Sequence, residues 1–219
     1  MSLTQRKTRP FARGEGSLRD DRLFIVACDD TYAPKQYFNF FRLTRVQVHV
    51  VAGTGGAAGA ILDALLKVEH EPDDEKWLLL DTDHFVSGTH REGFLAVVRA
   101  ARDKGIMVAL SRPCFEAWLL LHHVDEATVT PLRNAGEVEN ALRQAIGEYN
   151  KTKLKTQHYP LSSVALACIR GKRLDEAVEA EDIPSLNSSR VYKLWQAIIQ
   201  KALASQLPQA LADLKKQGF

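Results

Sequence analysis

A chain of 219 residues with 45% hydrophobic and 26% charged side chains has ordinary globular composition and room for one large α/β domain, or one domain with a helical appendage. Its net charge of +2 is too small to drive nucleic-acid binding alone, so any basic surface has to come from local clustering. The three cysteines, Cys28, Cys114 and Cys168, are far apart among apolar neighbours, which excludes a disulfide framework and fits the reducing cytoplasm.

No apolar stretch is long enough to span a bilayer, and the N-terminus lacks the apolar core of a signal peptide. Residues 1–20 are polar and carry Arg6, Lys7, Arg9 and Arg13, which reads as a basic arm, either solvated or touching phosphate. Leu23 to Cys28 is an apolar run that predicts a buried strand, ending in Asp29-Asp30. Pro34 suits a helix's first turn, and Tyr37, Phe38, Phe40 and Phe41 give that helix a core-facing stripe. Val46 to Val51 predicts a second strand. It runs into a glycine-rich turn, Gly53-Thr54-Gly55-Gly56, and a helix over 57–70. Such a turn either offers backbone N–H groups to a phosphate or uses glycine only for positive φ.

Lys76-Trp77-Leu78-Leu79-Leu80-Asp81-Thr82-Asp83 is the stretch on which the rest turns. Its apolar run is too short for a helix and lacks polar alternation, so it predicts a strand buried on both faces of a parallel sheet. Open α/β sheets bind ligands at the carboxyl ends of their strands. Asp81 and Asp83, two apart at such an end, make a hard-oxygen site suited to Mg²⁺ or Mn²⁺. The bland alternative is a capping acid followed by a solvated turn.

A helix over 90–104 stopped by Gly105 and a fourth strand over Ile106 to Leu110 follow. The order β-α-β-α-β-α-β predicts a sheet of about four mainly parallel strands flanked by helices. Ser111 is a candidate cap for the next helix, whose early turn holds Pro113. Glu116 is expected to be buried near that helix start, held by backbone N–H groups or a basic side chain from the N-terminal half. His122 and His123 are adjacent and poorly placed as a metal-binding pair. Residues 126–219 read as a helical extension packed on the 21–125 core, with helical spacing over 135–150, 161–181 and 188–216. Lys151, Lys153 and Lys155, with His158 and Tyr159 nearby, and Arg170, Lys172 and Arg173 form two basic clusters. Each is either a solvated face or a nucleic-acid contact.

Three segments resemble the RloB-like family, whose core is similar to the Toprim domain. Cys28-Asp29-Asp30-Thr31-Tyr32-Ala33-Pro34-Lys35-Gln36-Tyr37-Phe38 resembles that family's Cys-Glu-Gly…Tyr-Phe segment, and Leu80-Asp81-Thr82-Asp83-His84-Phe85 its Asp-x-Asp segment. Ser111-Arg112-Pro113-Cys114-Phe115-Glu116-Ala117-Trp118-Leu119-Leu120-Leu121-His122 resembles its Asn-Pro-Cys-Phe-Glu-x-Trp-Leu-Leu-Leu-His segment and is the most specific of the three. A weaker similarity lies in residues 184–194.

The resemblance implies a Toprim-like fold and a Mg²⁺- or Mn²⁺-dependent site that cleaves DNA or RNA in prokaryotic anti-phage defence, often beside an ATPase partner. It implies metal ligation by Asp81 and Asp83. Asp29 would be a further ligand or proton shuttle, Asp30 its alternate, and Glu116 an outer acid. The Gly53–Gly56 turn and Lys151, Lys153 and Lys155 would seat the nucleic-acid backbone. Asp29 stands where the family pattern has Glu, and Asp30 where it has Gly. Asp is one methylene shorter than Glu. A reach error near 1 Å costs about 100-fold in rate, a shift that weakens proton transfer more than metal binding. The alternative is a non-catalytic Toprim-like subunit that binds nucleic acid or an ATPase. The choice between DNA and RNA, and a homo-oligomeric state, stay open.

Overall fold

The computed structural model describes residues 22–30, 32–43, 45–51, 57–83, 90–177, 182–184 and 186–219. The four expected strands form. They are β1 (Arg22–Cys28), β2 (Val46–Val51), β3 (Glu75–Asp81) and β4 (Met107–Arg112), parallel in the order β2-β1-β3-β4. Helices α1 (Ala33–Asn39), α2 (Ala58–Leu66) and α3 (His90–Asp103) lie between successive strands, because parallel neighbours cannot be joined by a tight hairpin.

Alternate side chains of a strand point to opposite faces. Phe24, Val26 and Cys28 of β1 therefore join Trp77 and Leu79 of β3 on one side of the sheet. Ile25 and Ala27 join Leu78 and Leu80 on the other, which α2 and α3 cover with Ile61, Leu65, Phe94 and Val98. The first face is covered by α1 and by the C-terminal helices α4 (Glu116–Leu121), α5 (Glu126–Val129), α6 (Ala135–Ile146), α7 (Leu161–Glu176), α8 (Val191–Lys201) and α9 (Gln209–Lys216). Its apolar cluster reaches from β1 to Phe219 without a break at residue 125.

Of the expected stripe, Tyr37 and Phe38 are buried core on α1, while Phe40 and Phe41 follow the helix end at Asn39 and pack half-buried against that core. Tyr37 is buried at the centre, with Phe38 and Phe41 edge-on to it at 5.1 Å each. The Tyr37 hydroxyl hydrogen-bonds His122 Nε2 at 3.0 Å, and His122 Nδ1 hydrogen-bonds Ser163 Oγ at 2.7 Å. Burial, helped by the nearby His123 and Arg170 charges, pushes the His122 pKa well below the usual imidazole value. This histidine is a neutral core residue tying α1, α4 and α7 together.

Several boundaries differ from the sequence reading. Gly105 does follow α3 with φ +73°, and Gly147 at φ +80° ends α6 short of the expected residue 150. Ser111 caps no helix. It lies in β4, and its hydroxyl meets that of Ser189 at 2.8 Å. The expected helical span 188–216 is broken. It opens with a fifth strand, β5 (Ser188–Ser189), antiparallel to β4, and Pro208 N-caps a separate α9. Two serines carry no hydrophobic period, so nothing in the sequence marks this strand.

Helix α7 approaches β5 closely at Gly171, where a Cβ would lie 3.1 Å from the Ser189 carbonyl oxygen and 3.5 Å from Tyr192 Cβ. A strand carbonyl cannot swing aside as a flexible side chain can. Overpacking costs about 1–3 kcal/mol, against a gain of about 1 kcal/mol in helix propensity. Gly171→Ala is expected to lower stability by about 1 kcal/mol, and Gly171→Val by more, in urea denaturation. An alanine variant as stable as wild type would remove close packing as the reason for glycine here.

Candidate active site

The parallel register sets Cys28 beside Leu79 and Asp81 beside Ser111. The acids that follow β1 and end β3 therefore emerge at the same end of the sheet, on neighbouring strands. Asp29 Oδ2 accepts the Asp81 backbone N–H at 3.1 Å, and Asp29 Oδ1 accepts the Asp30 N–H at 3.0 Å. A carboxylate has about four lone-pair positions, so Asp29 keeps acceptor capacity after these two bonds. Asp30 uses Oδ1 to hold the Tyr32 N–H at 2.7 Å, a local turn contact.

The Thr82–Asp83 segment is pinned from the other side. Thr82 N–H donates to the carbonyls of Ser111 and Pro113, and Asp83 N–H to that of Pro113, all at 3.0 Å. The connection from β4 to α4, which contains a cis Arg112–Pro113 peptide, therefore fixes through these bonds where Asp83 sits.

Glu116 is buried at the first turn of α4, as expected, but its partner is different. The Tyr149 hydroxyl donates to Glu116 Oε1 at 2.5 Å. No basic side chain from the N-terminal half is involved among the described residues. The partner lies 33 positions away in the C-terminal half, and no local pattern links the two.

Burial raises the Asp29 pKa, while the N–H bonds from Asp81 and Asp30 work against that rise. Burial also raises the Asp81 pKa, well above the carboxylate range, and the charges of Asp29, Glu116, Asp83 and Asp30 add to it. Among the described residues no Lys, Arg or His forms an ion pair with Asp29, Asp30, Asp81 or Glu116. These four make a cluster of carboxyl groups without a cationic partner among the described residues, and their oxygens are hard donors suited to Mg²⁺ or Mn²⁺. The side chains are not drawn together around one point: among the described residues no group of three or more His, Cys, Asp or Glu could hold a metal ion.

The sequence-derived phosphate contacts separate into two groups. Gly53, Thr54, Gly55 and Gly56 lie outside the described residues, as does the basic arm of residues 1–20. The lysine loop is held against α1. Gln36 Nε2 donates to the Lys151 carbonyl at 2.8 Å, and Leu154 N–H donates to Gln36 Oε1 at 2.9 Å. Lys155 pairs with Glu148, whereas Lys153 lines a small hollow beside Tyr149 and Tyr159. The second basic cluster is engaged internally. Arg170 donates to the Leu121 carbonyl at 2.7 Å, Arg173 pairs with Glu126 at 3.3 Å, and Lys172 lies 5.1 Å from the Phe219 ring centre.

Sequence reasoning also missed a cleft of about 440 Å³ next to the acids, lined by Thr82, Asp83, Arg112, Arg133, Asn134 and Asn187 with their apolar neighbours. No nucleophile competes with the acids among the described residues. Burial raises the thiol pKa of Cys28, Cys114 and Cys168, which leaves them un-ionised. Among the described residues no helix is long and apolar enough to cross a membrane.

The family model described as "RloB-like protein" matches residues 24–198. No curated protein and no solved structure matches. The matched range runs from β1 through α8 and takes in the strand-end acids, Glu116 and its tyrosine partner. The chain belongs to the RloB-like family.

Proposed function

We propose that this protein is a Mg²⁺- or Mn²⁺-dependent nuclease that cleaves phosphodiester bonds in DNA or RNA, acting in the cytoplasm in prokaryotic anti-phage defence together with an ATPase partner. The observation that carries this reading is the contact between Asp29 and Asp81 at the carboxyl ends of adjacent parallel strands, where neither acid has a cationic partner among the described residues. Asp81 and Asp83 would hold the metal. Asp29 would complete its shell or move a proton, with Asp30 as the alternate. Glu116, clamped by Tyr149, is the outer acid. When bound, the ion polarises the scissile phosphate and stabilises the leaving oxygen. The lysine loop beside α1 supplies backbone contacts, which position the strand without reading its sequence.

A second reading, a non-catalytic subunit that binds nucleic acid or an ATPase, is favoured by one detail. Both Asp29 oxygens already accept backbone N–H groups, and the side chain is short. A nuclease assay on DNA and on RNA, with and without the neighbouring gene products, separates the two. Weak or absent cleavage is expected from the isolated protein, and Mn²⁺- or Mg²⁺-dependent cleavage once the ATPase or an infection signal is present. Asp29→Ala and Asp81→Ala should each abolish it while leaving the fold intact by circular dichroism. Cutting that persists in chelator, or survives Asp81→Ala, rules the nuclease out. Binding without cutting under every condition leaves the second reading.

A further inference from the structure

We propose that the cleft between the strand-end acids and the α5–α6 connection is a phosphate subsite that holds one unit of the nucleic-acid backbone beside Asp83. The substrate class rests on the nuclease reading, while the site itself rests on the cleft and the polar side chains that line it. The cleft, about 440 Å³, falls within the roughly 300–1,000 Å³ of small-ligand pockets. Two guanidiniums line it, and neither has a carboxylate partner among the described residues. Arg112 is half-buried and, among the described residues, donates once, to the Pro184 carbonyl at 2.5 Å, leaving further N–H groups of its planar fork. The exposed Arg133 side chain forms no hydrogen bond or ion pair among the described residues. Thr82, fully buried on the cleft wall, has an Oγ1 with no hydrogen-bond partner there.

The charge in the cleft comes from side chains and not from a helix dipole. The first turn of α6 is already occupied, because Asn134 Oδ1 accepts the Glu137 N–H at 3.0 Å and Glu137 Oε2 accepts the Arg133 N–H at 2.8 Å. Asn187 donates to the Val129 carbonyl at 3.3 Å and so fixes the far wall. A forked guanidinium matches phosphate oxygens pairwise, and Arg112 and Arg133 both line the cleft beside Asp83.

The test is fluorescence anisotropy of the full-length protein, in chelator, with 5′-labelled single-stranded DNA and RNA of about 20 nucleotides across a salt series. On a single strand, removing one phosphate-neutralising cation lowers the slope of log K against log salt by about 0.7. Arg133→Gln removes no hydrogen bond or ion pair among the described residues and should lower the slope by about that much on whichever strand binds. Arg112→Gln together with Arg133→Gln should lower it about twice as far. An unchanged slope in Arg133→Gln, or no binding of either oligonucleotide by the wild type, overturns the subsite. A lowered slope without cleavage under any condition supports the subsite and sinks the nuclease reading. Intact cleavage with an unchanged slope does the reverse.

Discussion

Asp81→Asn is expected to raise the melting temperature of the metal-free protein at neutral pH and, on the proposed metal reading, to abolish its response to Mg²⁺. The Asp81 carboxyl is pushed up first by burial and then by four acidic neighbours, so the folded chain binds its proton more readily than the unfolded chain does. Stability contributed through this group therefore falls as pH climbs from the unfolded value of about 4 through the raised folded value. Asparagine keeps the shape and cannot ionise. Relief of such repulsion stabilises by about 0.5–2 kcal/mol, and each kcal/mol moves the midpoint of a chain this size by roughly 2–4 °C. Thermal melts in chelator at pH 5 and pH 8 read the effect, with the gain over wild type growing at the higher pH. Added Mg²⁺ should raise the wild-type midpoint and leave the variant unmoved. Cleavage should drop by on the order of 10³-fold or more, since a bound metal supplies several kcal/mol of transition-state stabilisation. A variant that melts lower than wild type at pH 8 in chelator would show that the Asp81 charge is compensated.

The largest loss of stability is expected at a buried ion pair between α7 and the start of α8. Asp175, near the end of α7, receives Arg190 Nε at 2.7 Å, Lys193 Nζ at 2.9 Å and the Tyr192 hydroxyl at 2.8 Å. Asp175 and Arg190 are 9% and 8% exposed. Burial works against the Asp175 charge, but the bonds from Lys193, Arg190 and Tyr192 outweigh it and hold its pKa below the usual carboxylate value. Its stabilisation is present above the unfolded pKa of about 4 and is lost as pH falls through the lower folded value. Asp175→Ala leaves a buried guanidinium short of its partner, a change worth about 3–5 kcal/mol. The midpoint should fall by roughly 6–20 °C on that basis. Replacing Asp175 and Arg190 together by apolar residues of similar volume should cost less than Asp175→Ala alone. Equal losses would mean that the pair contributes packing and no electrostatic coupling.

What was readable in the sequence is what the chain encodes locally. The apolar run from Trp77 to Leu80 closed by Asp81, and the run before Asp29, each declare a buried strand and its acidic end within a few residues. Parallel order then follows from the crossover helices between them. Glycines at 105 and 147 mark helix ends because positive φ is a local demand. What was not readable depends on segments distant in sequence. The Tyr149 clamp on Glu116, the Ser111–Ser189 contact and the arginine-lined cleft each join residues tens of positions apart. Ser111 illustrates the difference. Next to Pro113 it resembles a helix cap, yet pairing with β5 holds it in a strand, where its hydroxyl finds a partner 78 residues on.

The late arrival of β5 also bears on synthesis at the ribosome. A nascent chain that has emerged only through α4 exposes the outer edge of β4 and the apolar underside of the sheet, with neither Tyr149 nor Ser189 yet available. Unpaired strand edges and uncovered apolar faces are where growing chains associate with one another. The parallel sheet of this protein therefore keeps an unpaired edge until Ser188 and Ser189 have emerged. Stalled or truncated products from this message would be handed to chaperones or proteases before Glu116 has met its tyrosine.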